Sequence, residues 1–134
     1  MLTRMTESIA TPQDVLAFWL GAWPIDHAAM LRVQPRWFAK DEAFDAELRA
    51  RFGATLEAAR AGRLDAWAAD AGGRLALLIV LDQFTRNAWR GRPDSFSGDA
   101  QALALALEGI ERGHDQAVPP MARIFCYLPL EHAE

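Results

Sequence analysis

The feature that most constrains this 134-residue chain is an apolar run, Leu75 to Leu81, that passes without a break into Asp82-Gln83-Phe84-Thr85-Arg86-Asn87. Seven apolar residues fall far short of the roughly 20 that a membrane-crossing helix needs, so the run has to be buried inside protein. At helical spacing, Leu75, Leu78 and Ile79 share a face that continues to Asp82, Arg86 and Trp89. A carboxylate and a guanidinium therefore lie in line with a buried stripe. Within the stretch from Gly73 to Gly91 the central helix is read over residues 74–89, flanked by glycine at both ends.

Twenty-six alanines, many leucines and few β-branched runs favour helix throughout, and the length suits one domain over residues 1–134. The fold class expected is all-α. Thirteen of the fourteen basic residues are Arg, and the formal charge of −4 supplies no large cationic field, which argues against nucleic acid as a partner. The lone Cys126 has no Cys or His at metal-ligand spacing and is read as a small buried apolar residue in a reducing, cytoplasmic setting. The first ten residues lack the apolar core of a secretory signal, are expected to be flexible, and include Met5 as an alternative start.

Along the chain, Thr11-Pro12-Gln13-Asp14 has the pattern of a capped helix start, with Val15, Phe18 and Trp19 inward and a stop at Gly21. A short helix is expected from Asp26 to about Leu31, followed by Trp37 and Phe38 packed inward. From Asp41 to about Ala61 a long helix carries Phe44, Leu48, Phe52, Leu56 and Ala59 on one side. Asp45 with Arg49, and Glu47 with Arg51, read as i,i+4 pairs on its outer face, and Gly53 suggests close approach of a neighbour. Gly62 caps it, and Leu64-Asp65-Ala66-Trp67 forms a short helix before the central one. After the turn at Gly91–Asp94, a helix from Ser97 presents Leu103, Leu107 and Ile110 on one side. A last helix starts at Pro119-Pro120 and breaks at Pro129. Leu56-Glu57 with Gly62 is echoed by Leu107-Glu108 with Gly113, an offset of 51 that fits a degenerate hairpin repeat or two ordinary glycine caps.

These segments carry a resemblance. Phe18-Trp19-Leu20-Gly21, Arg36-Trp37-Phe38-Ala39-Lys40-Asp41, Phe44-Asp45, Arg51-Phe52-Gly53 and Gly62-Arg63-Leu64-Asp65-Ala66-Trp67 are similar to the bacterial family known as domain of unknown function 924. Leu81-Asp82-Gln83-Phe84-Thr85-Arg86-Asn87 resembles its Leu-Asp-Gln-Phe-Pro-Arg-Asn signature, with Thr85 in place of Pro. Tyr127-Leu128-Pro129-Leu130-Glu131-His132-Ala133-Glu134 resembles its Tyr-Leu-Pro-Leu-Glu-His-Ser-Glu. The resemblance implies a tetratricopeptide-like stack of antiparallel helical hairpins and no assigned activity. It also implies further helices with a second His- and Arg-rich stretch, so the chain reads as the N-terminal part of a longer domain.

The candidate polar pocket comprises Asp82, Gln83, Arg86, Asn87, Arg90, Glu131 and His132. Asp82 or Glu131 would serve as a base, His132 as a proton carrier, and Arg86 with Arg90 as a clamp on a carboxylate or phosphate. The structural reading of the same residues is an Asp82–Arg86 ion pair, with Gln83 and Asn87 satisfying backbone groups at a helix end. Glu131, His132 and Glu134 lack the spacing of di-iron or zinc sites, and no phosphate loop or nucleophile elbow occurs, so neither metal nor cofactor is expected. Trp37, Trp67 and Trp89 are candidate groove aromatics. Two function classes stay open: a helical scaffold binding a peptide or protein, which is the reading favoured, and, as the alternative, a hydrolase or lyase acting on a small anionic substrate. An apolar face of Leu103, Leu107, Phe125, Leu128 and Leu130, expected to be uncovered at the C-terminal end, points to a homodimer.

Overall fold

The computed structural model describes residues 8–134, and among them every regular element is helical. The expected flexibility of residues 1–10 falls, for 1–7, outside the described residues. Ala10 is already fastened, its backbone N–H donating to Thr55 Oγ1 at 2.8 Å.

Helix α1, Pro12–Leu20, begins with the expected reciprocal cap: Thr11 Oγ1 accepts from the Asp14 backbone and Asp14 accepts from that of Thr11, both at 3.1 Å. Helix α2, His27–Val33, is capped by Asp26 and leads into a 3-10 turn at Gln34–Arg36. The longest helix, α3, Glu42–Arg60, is capped by Asp41. A 3-10 turn at Asp65–Ala69 precedes α4, Ala71–Leu78, whose N-terminus is capped by Asp70. The same helical rod widens into a π-helical stretch, Ile79–Phe84, and tightens again into α5, Thr85–Ala88. After a 3-10 turn at Pro93–Phe96 come α6, Asp99–Glu111, α7, His114–Ala117, a 3-10 turn at Pro120–Ala122, and α8, Ile124–His132.

The central rod is surrounded. Every residue from Gly73 to Thr85 is buried, with α1 and α3 packed on one part of its surface and α6 and α8 on another. An apolar run of this kind has no polar face to turn outward, so neighbours have to cover it all round. One core cluster joins Phe44, Leu48, Phe52, Leu56 and Ala59 of α3 to Leu75, Leu78 and Ile79, and the rings of Phe52 and Phe84 lie 4.9 Å apart. Helices α3 and the central rod are neighbours, as the stripe spacing requires.

Several expectations are corrected. Phe38 is 65% exposed, whereas Trp37 is buried and donates its indole N–H to Trp19 O at 2.8 Å. The indole N–H needs a partner when it goes inside and finds one; the phenyl ring gains no such anchor. A Cβ on Gly53 would meet nothing within 4 Å, so no neighbour approaches there. Helix α6 buries Ala102, Ala106 and Gly109 and turns Leu107 and Ile110 outward. At Gly109 an added Cβ would meet Arg74 Cδ of α4 at 2.7 Å, so this small-residue stripe lets α6 sit close to α4. Pro129 lies inside α8 and does not end it, and Phe125, expected on an uncovered face, is buried. Gly62 and Gly113 follow α3 and α6 with φ of 79° and 77°, so two glycine helix ends suffice for the echo in the sequence.

Candidate functional site

The π-helical stretch prepares the site. A wider turn weakens the regular i−4 hydrogen bonds and leaves carbonyls that side chains can take over. Thr85 Oγ1 donates to Leu81 O at 2.9 Å, and Arg86 Nη1 donates to Asp82 O at 2.8 Å. Both donors sit four residues beyond their acceptors, so the bonds pin the irregular turn that holds Asp82 and Gln83.

Asp82 is 1% exposed and is the hub of the first network. Its Oδ1 lies 2.8 Å from His132 Nδ1 and 3.2 Å from Arg86 Nη1, while Oδ2 accepts from Gln83 Nε2 at 2.9 Å. Arg86 in turn forms a two-pronged pair with Asp99 at the start of α6, at 2.9 and 3.1 Å. A carboxylate can only accept, so the proton of the His132–Asp82 bond sits on Nδ1. In the neutral ring Nε2 then carries the lone pair, the arrangement that makes imidazole a general base. Nε2 has no protein partner among the described residues.

The second hub is Asp45 of α3, also buried. It accepts from Asn87 Nδ2 at 2.9 Å and from Arg90 Nε at 2.8 Å. The hydrogen bond from Arg90 to this carboxylate holds the guanidinium pKa above its ordinary value. The expected outer-face pair Asp45–Arg49 does not form: Asp45 turns inward, and Arg49 donates to Ala88 O at 3.2 Å. Glu47 and Arg51 do pair on the surface, at 3.6 Å.

Trp37, Phe38, Gln83, Arg86, Asn87, Arg90 and His132 line a pocket of about 180 Å³, and Asp82 lies against its wall through His132, Arg86 and Gln83. Of the residues singled out in the sequence, Asp82, Gln83, Arg86, Asn87, Arg90 and His132 come together. Glu131 does not: it is exposed and absent from the pocket wall. Of the aromatics, Trp37 lines the pocket; Trp67 is half-buried beside the start of α4, and Trp89 lies under the Arg60 guanidinium, 4.4 Å from it. Among the described residues, no group of three or more His, Cys, Asp or Glu side chains is placed to hold a metal ion.

Sequence reasoning missed Asp45, Asp99 and Arg74. Asp45 had a signal, since Leu48 and Phe52 follow it at i+3 and i+7 on the buried side. Asp99 and Arg74 had none. Arg74, at the other end of the central rod, is buried and donates to His114 Nδ1, Leu105 O and Ala68 O at 2.9 to 3.0 Å while pairing with Glu108. It ties α4 to α6 and α7, away from the pocket.

The fold and site together define an all-helical protein with an ion-paired pocket at one end of a buried central helix. Residues 15–134 match the family described as bacterial protein of unknown function, DUF924, and the chain belongs to it. A solved structure of a protein of unknown function, ATU0120 from Agrobacterium tumefaciens, is similar at 40% identity and a TM-score of 0.78. That similarity covers 90% of this chain and 63% of the Agrobacterium chain. No curated protein sequence matches this one.

Proposed function

We propose that the pocket binds a small molecule bearing a carboxylate or phosphate and that His132 Nε2 acts on it as a general base, in a hydrolase or lyase reaction. The carrying observation is the 2.8 Å contact between buried Asp82 and His132 at the wall of a pocket that also holds Arg86 and Arg90. A buried carboxylate orients the imidazole and stabilises the imidazolium that forms when it takes a proton. Among the described residues no Ser, Cys or Lys lines this pocket, so the base would activate water or remove a proton from the substrate directly. At about 180 Å³ the space lies below the roughly 300–1,000 Å³ of sites for drug-sized ligands, which favours a metabolite-sized one.

A panel of small carboxylic acids and phosphate monoesters, followed by thermal shift on the wild type and on Arg90→Lys, tests the binding step. A compound that stabilises the wild type and much less the variant supports the reading, and its turnover should vanish in His132→Asn. A panel that shifts neither protein, or both equally, removes the basis for it.

The scaffold reading keeps one observation of its own. Leu107 and Ile110 of α6 stand exposed, as do Met121 and Ile124 at the start of the C-terminal helix, and exposed apolar side chains of this size are what a protein partner covers. The resemblance to tetratricopeptide-like stacks supports the same reading. A pull-down with the full-length protein, repeated with Leu107→Glu, tests it.

A further inference from the structure

We propose that the ligand of this pocket is a zwitterion of amino-acid type, an ammonium and a carboxylate on one small molecule, with a flat apolar side chain lying on Trp37 and Phe38. The inference rests on the pocket reading above and adds the second charge and the shape.

Several polar atoms at the pocket are already committed. Asp82 and Asp45 only accept, so the amide nitrogens of Gln83 and Asn87 must face them, as the 2.9 Å contacts to Asp82 Oδ2 and Asp45 Oδ1 show. Each amide therefore turns its carbonyl oxygen away from its carboxylate. Among the described residues neither oxygen has a protein partner, and the one sealed side-chain polar atom without a partner is Trp19 Nε1. Gln83 Oε1 and Asn87 Oδ1 are thus open, on residues that line this pocket. Each amide NH2 also keeps a second N–H, so the pair offers a ligand two acceptors and two donors, and the acceptors call for a ligand with a donor of its own.

The charges decide what kind of donor. Three carboxylates, Asp45, Asp82 and Asp99, face two guanidiniums, Arg86 and Arg90. If His132 is to act as a base it is neutral, and the network of these five groups, whose carboxylates lie behind the wall, then carries a net charge of −1. A purely anionic ligand would raise that imbalance, whereas an ammonium between two amide carbonyls offsets it. Neutral hydroxyl donors would satisfy the acceptors but not the charge. The anion side is also provided for. Arg86 commits both terminal nitrogens to Asp82 and Asp99, but Arg90 binds Asp45 through Nε and weakly through Nη2, leaving Nη1 without a partner among the described residues. Arg90 Nη1, with both of its hydrogens uncommitted, is the fullest donor left for a carboxylate.

Two other lining residues, Trp37 and Phe38, are apolar rings. Trp37 is held by its bond to Trp19 O, and Phe38 presents a phenyl ring that is 65% exposed at the pocket. An uncovered ring of this size next to a polar wall fits a ligand with one charged end and one flat apolar end, since aromatic pairs favour offset or edge contacts.

The test uses three probes on the full chain: L-phenylalanine, 3-phenylpropionate, which lacks the amine, and phenethylamine, which lacks the carboxylate. Binding is read from the Trp37 indole and His132 ring signals in NMR titrations. The expected result is that L-phenylalanine binds at least tenfold more tightly than either analogue and that Gln83→Met reduces this preference. Should Gln83→Met not fold, the comparison of the three probes on the wild type still decides. Equal binding of 3-phenylpropionate and L-phenylalanine would overturn the zwitterion while leaving the anion pocket intact. Equal binding of phenethylamine and L-phenylalanine would overturn both. If none of the three perturbs the pocket signals, the inference fails, and the carboxylate and phosphate panel alone judges the broader proposal.

Discussion

Asp82, in the middle of the central rod, and His132, the last residue of α8, meet through a single 2.8 Å contact across fifty residues of chain. The pair holds the end of α8 on the π-helical stretch. Asp82→Ala removes the carboxylate acceptor for His132, Gln83 and Arg86 at once and leaves a half-buried guanidinium with Asp99 as its one carboxylate partner, beside the backbone carbonyl of residue 82. The expected loss is about 3 kcal/mol, the range for breaking a buried ion pair, measured by urea denaturation. A loss under about 1 kcal/mol would mean that the network is solvated.

Asp45 and Glu47 lie two residues apart on α3 and should respond oppositely. Asp45 is buried and accepts from Asn87 and Arg90, so Asp45→Ala is expected to cost about 2–3 kcal/mol. Glu47 pairs with Arg51 at 3.6 Å on an exposed face, and Glu47→Ala should stay within about 0.5 kcal/mol. Chemical denaturation of the two variants side by side checks the contrast.

Burial pushes the Cys126 thiol up to about 11, so almost none of it is thiolate at neutral pH. The native protein should react with a disulfide reagent orders of magnitude more slowly than the protein in denaturing urea. Equal rates would show that the α8 contact opens readily.

Tyr127 donates its hydroxyl to Asp115. That bond lowers the Asp115 pKa and raises that of Tyr127. For the carboxylate, the stability gained is present above its unfolded pKa and fades as pH falls through the depressed folded value. For the phenol, it is present below the unfolded pKa and fades as pH rises through the raised one. The contribution therefore spans roughly pH 4 to 10. Tyr127→Phe should be less stable than the wild type at pH 7, with the gap closing as the pH is taken below the carboxylate range. A gap that stays constant with pH in thermal melts would rule the bond out as its source.

Local chemistry was legible in the chain. The Thr11–Asp14 cap depends on residues three apart, the α3 stripe on spacing along one helix, and the apolar run of the central rod on its own composition, so each is decided within a few turns of chain. The Asp82–Arg86 pair was legible for the same reason, since four residues on a helix bring the two groups together whatever surrounds them. The family signature brought Gln83, Asn87 and His132 into view beside them.

What the tertiary structure alone decided is where each group finds its partner. Asp45 has Arg49 one turn away, a pairing that local rules favour, yet it turns inward because Asn87 and Arg90 arrive from the central rod and offer donors inside the fold. Leu107 and Ile110 of α6 face outward because the stripe of Ala102, Ala106 and Gly109 is the side that goes inward, with Gly109 leaving room for the Arg74 stem of α4, a contact that exists only once α4 is there. Phe38 stays out and Trp37 goes in because only the indole finds a carbonyl, that of Trp19, on another helix. Each outcome compares a local preference with a contact between distant segments. A sequence lists the first, but the second acquires an energy only when the segments are packed.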